Sequence, residues 1–239
     1  MTISPHTTVG ELAGRFPATV KVFQRHHIEF CCGGGRTLGR VCRDARLSYV
    51  TLTAELADAV AHAPSHAGWS DRPLAELIAH IVEAFHDVVR QELPRLRQLA
   101  TKLQGHGDDQ RRVLTVIHYE LARFGVEVAV QMDVEERHVF PLIAQAEAGT
   151  LTGPARERIE TLRREAEAFH QDSAQTLRML RQITNGYIAP PTACSALRAL
   201  YLGLQELEAL MQLHVHLEIN VLFSRVAALT SGAGVEKHR

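Results

Sequence analysis

The stretch Leu77-Ile78-Ala79-His80-Ile81-Val82-Glu83-Ala84-Phe85-His86-Asp87-Val88-Val89, or LIAHIVEAFHDVV, sets Leu77, Ile78, Ile81, Phe85, Val88 and Val89 at steps of three and four. That is the 3.6-residue period of a helix with one buried face. It predicts a helix over about Leu74 to Gln104. Three more long patterns follow, Asp108 to Glu147, Ala155 to Thr184 and Pro191 to Leu229, with GHG, AGTLTGP and NGYIAPP as breakers between them. No segment alternates as a strand does. Four amphipathic helices on short connections read as an all-α, up-down-up-down four-helix bundle over residues 74–229. Pro94 and Pro141 fall inside two of the patterns, where a kink or a helix end is expected.

Upstream the pattern breaks into shorter pieces. Helices are expected around Val9 to Ala13, Pro17 to His26, Thr37 to Ala45 and Thr51 to Ala61, with Pro17 as a start signal and Gly33 to Gly35 as a stop. Residues 1–61 thus read as a small helical domain. HAPSHAGWSDRP, residues 62–73, is its linker to the bundle, and residues 230–239 are a flexible tail.

Lys+Arg 26 against Asp+Glu 27 give a formal charge of -1, so neither nucleic acid nor an anionic membrane is expected as a partner. The beginning of the chain shows no secretory signal, and no apolar run reaches the roughly 20 residues that span a bilayer. The four cysteines, Cys31, Cys32, Cys42 and Cys194, do not have the spacing of a secreted disulfide framework. A cytoplasmic location is expected. Homodimerisation is left open.

IEFCCGGGRTL, Ile28 to Leu38, puts two adjacent thiols against three glycines. Neighbouring cysteines are too close to pair easily with each other, and the glycines leave the sulfurs approachable, so Cys31 and Cys32 are the expected reactive residues. His26 and His27 precede them and read as a solvated helix end. Cys42 and Cys194 read as buried small apolar residues.

The chain holds 14 histidines, several beside glutamates within apolar helical patterns. His214 and Glu218, four apart in LHVHLEINVLF, share one helix face, so one metal ion can touch both. Glu135 lies in a similar segment, VEERHVF, while His86 and His170 each follow Glu-Ala-Phe. Counted from the connections at about 1.5 Å per residue, these residues fall at broadly one depth. Each alone reads more readily as a hydrogen-bonded core residue. Together, imidazoles and carboxylates in one core layer read as a site for two iron or manganese ions. His80, His118 and His216 point elsewhere and are expected at the surface or behind the ligands.

FxRHHIEFCCGGGRTLxxxC, followed by His86, Glu135, His170, His214 and Glu218, resembles the repair-of-iron-centres family of di-iron hemerythrin-like proteins, over nearly the whole chain. The resemblance implies an oxo-bridged pair of non-haem iron ions in the bundle and two thiols in the small domain. It implies a cytoplasmic protein that restores iron–sulfur clusters in damaged client proteins after nitrosative or oxidative stress, by donating iron or by binding nitric oxide. Whether nitric oxide is also reduced there, as an enzyme would do, is left open. One position departs from the family: four residues before Glu135 stands Gln131, where an imidazole is usual. Gln131, Glu127, His138 or water would complete the second iron. The runner-up reading is a hemerythrin-like module that binds or senses O2 or nitric oxide without turnover; a third is a purely structural helical protein.

Overall fold

The computed structural model describes residues 3–16, 18–30, 34–61, 69, 72–104 and 108–230. The fold is all-α, a helical bundle preceded by a small helical domain, with no strand among the described residues. Cys31 and Cys32, most of the 62–73 segment and the 230–239 segment beyond Thr230 lie outside the described residues.

Contacts group the chain into two compact units. The first holds residues 1–79, 143–156 and 212–239. Its N-terminal helices are α1 (Val9–Arg15), α2 (Thr19–Arg25), α3 (Leu38–Asp44) and α4 (Tyr49–Ala61). Thr8 caps α1 by accepting from the Glu11 amide, which satisfies one of the free donors of the first turn. Val9, Leu12, Phe23, Phe30, Leu38, Leu52 and Leu56 form the core of this domain, and Leu213 packs against it. Gly10 sits where an added Cβ would come within 3.0 Å of the Gly34 carbonyl oxygen, so only glycine allows that approach.

The second unit holds residues 80–142 and 157–211. Its core is a ladder of Val89, Leu93, Leu96, Leu114, Ile117, Leu121, Phe124, Leu200, Leu204 and Leu207 with their neighbours. Burial of such side chains contributes roughly 1.5–3 kcal/mol each and dominates the folding of the bundle.

The bundle helices are α5 (Leu74–Ile81) with α6 (Asp87–Leu103), α7 (Asp108–Val134) with α8 (Phe140–Glu147), α9 (Gly153–Ile183), and α10 (Ser195–Val215) with α11 (Ser224–Thr230). Three of the four run through a π-helical turn, at Val82–His86, Glu135–Val139 and His216–Phe223. Such turns insert one residue and shift the helix phase. In the first bundle helix this buries Phe85 and His86 together and carries Val89 into the core, while Val88, expected inside from strict periodicity, is left exposed. Neither proline ends its helix. Pro94 lies within α6. Pro141 follows a turn whose ladder is already stepped, the Phe140 N–H donating to the Glu135 carbonyl, so its missing N–H falls at a break in the usual pattern.

Candidate metal centre

The three π-turns are where the carboxylates and one histidine of the site are found: His86 closes the first, Glu135 opens the second and Glu218 lies in the third. His170 comes from the middle of α9, which has no such turn. All of these side chains, and His214, are buried.

Each of His86, Glu135, His214 and Glu218 offers one ligand atom within 4.8 Å of those of the others. Nε2 of His86 is 3.4 Å from Oε2 of Glu135, and Nε2 of His214 is 3.6 Å from Oε2 of Glu218. His170 is not one of these four, but its Nε2 lies 3.9 Å from Oε1 of Glu135.

These spacings suit a metal. Two donors at about 2.1 Å from one ion are roughly 3.0 Å apart at right angles and roughly 4.2 Å apart in line, and the 3.4, 3.6 and 3.9 Å separations of these pairs fall between. A pair of buried carboxylates facing imidazoles is costly to desolvate, and a cation among them offsets that cost. The donor set of neutral nitrogens and hard oxygens, with no sulfur, is one that iron accepts. This buried cluster inside a helical bundle fits a non-haem iron site.

Around the cluster, Glu136 accepts from the His86 ring through its Oε1 oxygen, 2.7 Å from Nδ1, and the same oxygen accepts from Arg90 at 2.6 Å. Burial alone would push the Glu136 carboxyl up, but the hydrogen bonds from His86 and Arg90 outweigh it and hold the group below the usual carboxylate range. An ionised Glu136 fixes the His86 proton on Nδ1 and leaves Nε2 to face Glu135. Of the residues considered for the last ligand, Gln131 alone reaches the cluster: its Nε2 donates to Oε1 of Glu135 at 2.6 Å. Glu127 is exposed, with both oxygens 2.8 Å from Arg123, and His138 is exposed.

The family model of the hemerythrin HHE cation binding domain matches residues 77–226, and that of ScdA_N, a domain of unknown function (DUF542), matches residues 5–60. The chain is 33% identical over 218 residues to the iron-sulfur cluster repair protein YtfE of Pectobacterium atrosepticum, covering 91% of this chain and 95% of that one. It is 34% identical over 220 residues to the proteins of the same name from Cronobacter sakazakii and Escherichia coli O6:K15:H31, covering 92% of this chain and 96% of each. The chain belongs to the repair-of-iron-centres family. Among the described residues of this family member, no helix is long and apolar enough to cross a membrane.

The surface reading of His216 and the core reading of Cys194 are corrected by the structure. His216, expected at the surface or behind the ligands, is 2% exposed; its ring is hydrogen-bonded to the backbone of Ala13 and lies edge-on to Phe30, with centroids 5.6 Å apart. Burial outweighs the Ala13 bond and pushes its pKa down to about 4, so the ring is neutral near pH 7. The reason is that α1 packs on the third π-turn, which gives that turn a second buried face. Cys194, expected in a core, is exposed in the connection before α10, whereas Cys42 is buried and burial pushes its thiol up. His26 pairs with Glu55 at 3.0 Å. No signal in the single sequence marks Glu136 or Arg90 as supports of His86; only the folded geometry joins them.

Proposed function

We propose that the protein restores iron–sulfur clusters in damaged client proteins, using two non-haem iron ions held by His86, Glu135, His170, His214 and Glu218. The observation that carries this reading is the buried cluster of His86, Glu135, His214 and Glu218 within a chain whose relatives are named iron-sulfur cluster repair proteins. Iron bound there supplies Lewis acidity and redox capacity toward a small ligand such as nitric oxide or O2. The carboxylates of Glu135 and Glu218 offset its charge, the imidazoles complete its neutral donors, and the burial of all five side chains keeps bulk water from them.

In this reading Cys31 and Cys32 take iron from the centre toward a client cluster. Thiolates are the soft donors of the chain, and flanking glycines leave them approachable. The match of residues 5–60 to the ScdA_N domain supports repair over simple binding of O2 or nitric oxide, since a carrier has no need of the thiol-bearing segment.

The test pairs iron analysis with a reconstituted repair assay on an iron–sulfur enzyme damaged by nitric oxide. Close to two irons per chain, with the near-ultraviolet bands of an oxo-bridged pair, is expected. The Cys31→Ser, Cys32→Ser protein should keep that iron and lose repair. Stoichiometric zinc without iron after growth in iron-replete medium overturns the di-iron centre; full repair by the double variant overturns the role of the thiols.

A further inference from the structure

We propose that Gln131 keeps one coordination position of the metal centre open for a small anionic or diatomic ligand, making the two ions inequivalent. The inference rests on the di-iron reading above and concerns one residue within it.

The site is built from a repeated pattern. Glu-Ala-Phe-His occurs at Glu83–His86 in the first bundle helix and at Glu167–His170 in the third. In the second and fourth helices, a carboxylate that belongs to the cluster is preceded four residues earlier by a polar side chain on the same face: Gln131 before Glu135, His214 before Glu218. The first two helices therefore supply His86, Gln131 and Glu135, and the last two supply His170, His214 and Glu218. The halves match at every position but one. Gln131 stands where the other half has an imidazole.

An amide cannot take the imidazole's place in the arrangement observed. Nε2 of Gln131 donates to Oε1 of Glu135 at 2.6 Å, which leaves only the amide oxygen for a metal, a weaker donor than an imidazole nitrogen. No neighbour replaces it. Glu127 turns outward to Arg123, and His138 lies on the exposed face of the second π-turn. Oε1 of Glu135, the oxygen that Gln131 holds, is also the one 3.9 Å from Nε2 of His170. Gln131 thus positions the Glu135 carboxylate, and an ion on its side is one nitrogen short. The Gln131 side chain is half-buried, whereas His86, Glu135, His170, His214 and Glu218 are buried, so the least enclosed side of the cluster is at this residue. In this reading its second amide hydrogen donates to an anion that arrives there.

Sodium azide is the probe, followed by its charge-transfer absorption on iron in the wild type, Gln131→His and Gln131→Leu, each assayed for iron before azide is added. The wild type is expected to bind azide at one position per pair of irons. Gln131→His, which fills that position, should bind it about tenfold or more weakly at equal iron content. Gln131→Leu, which cannot ligate, should stay within a few-fold of the wild type. Equal azide affinity in the wild type and Gln131→His overturns the proposal, and so does a loss in Gln131→Leu as large as that in Gln131→His. Should Gln131→His fail to take up iron, the wild type and Gln131→Leu decide: no azide band in either overturns the open position. A wild type that binds no iron overturns the di-iron reading itself, and the prior iron assay tells the two failures apart.

Discussion

Oε1 of Glu136 lies 2.7 Å from Nδ1 of His86 and 2.6 Å from the Arg90 guanidinium, so one carboxylate oxygen orients a buried imidazole while a cation holds that oxygen in place. The ring can then present only its other nitrogen to Glu135. Replacing Glu136 with Ala removes the orienting acceptor and leaves Arg90 to Asp87, 3.2 Å away. Iron affinity, measured by competition with a chelator, is expected to fall about 10- to 100-fold, with Glu136→Gln losing less. Unchanged affinity in Glu136→Ala would show that packing alone, including the Phe140 ring stacked 5.9 Å from that of His86, sets the imidazole.

Glu135 and Glu218 are both fully buried, and each lies within 4 Å of a histidine nitrogen. Glu135→Ala and Glu218→Ala should each lose most of the bound iron, because the histidines left behind hold it through fewer donors. His138→Ala, three residues beyond Glu135 but exposed, should keep it. Equal losses in all three variants, read by metal analysis at matched helix content, would mean that iron does not sit at this cluster.

The all-α fold was legible because Leu77, Ile81, Phe85 and their counterparts repeat at helical spacing, a pattern that burial enforces regardless of detail. The grouping of His86, Glu135, His214 and Glu218 was legible for a related reason: His214 and Glu218 at i and i+4 share a face in a helix, and helix lengths set the depth of the other two. What periodicity could not carry was the winding. A π-turn depends on packing from outside the helix, so the exposure of Val88 could not be read from spacing. The same limit applied to His216, whose surroundings are set by Phe30 and Ala13, far from it in sequence. Glu136 looked like one more solvent-facing glutamate until the fold brought His86 and Arg90 to it.

Away from the metal centre, Tyr187 is buried, with its hydroxyl donating to the Leu177 carbonyl at 3.2 Å. Burial raises its pKa, the nearby Glu208 carboxylate adds to the rise, and Arg181 partly opposes it. Near neutrality the phenol is protonated in both the folded and the unfolded chain, so it contributes no pH dependence there. Above the ordinary tyrosine value of about 10 the unfolded chain gives up this proton while the folded one keeps it, so stability falls as pH rises. Tyr187→Phe should be less stable by about 1 kcal/mol at pH 8 through the lost hydrogen bond. It should also show a shallower decline between pH 9 and 11. Parallel urea midpoints for the two proteins across that range would show that the phenol is not protected by the fold.

The ring of Phe30 is fully buried in the core of the small domain, stacked on Phe23 with centroids 5.9 Å apart and edge-on to His216 in the third π-turn. His216 stands between His214 and Glu218 in sequence, so the packing that holds its ring also bears on the turn that presents those two side chains. Phe30→Ala opens a cavity worth about 3–5 kcal/mol of stability. Leu52→Ala, in the same core but on α4, costs about 2–5 kcal/mol and leaves the His216 contact in place. If the small domain braces the turn, iron should pass to a chelator markedly faster from Phe30→Ala than from Leu52→Ala, even when the two have similar melting temperatures. His216→Gln, which loses the ring contact with little change in core volume, should speed release in the same direction. Release rates that follow melting temperature alone across the three variants would show that the small domain adds stability without steadying the centre.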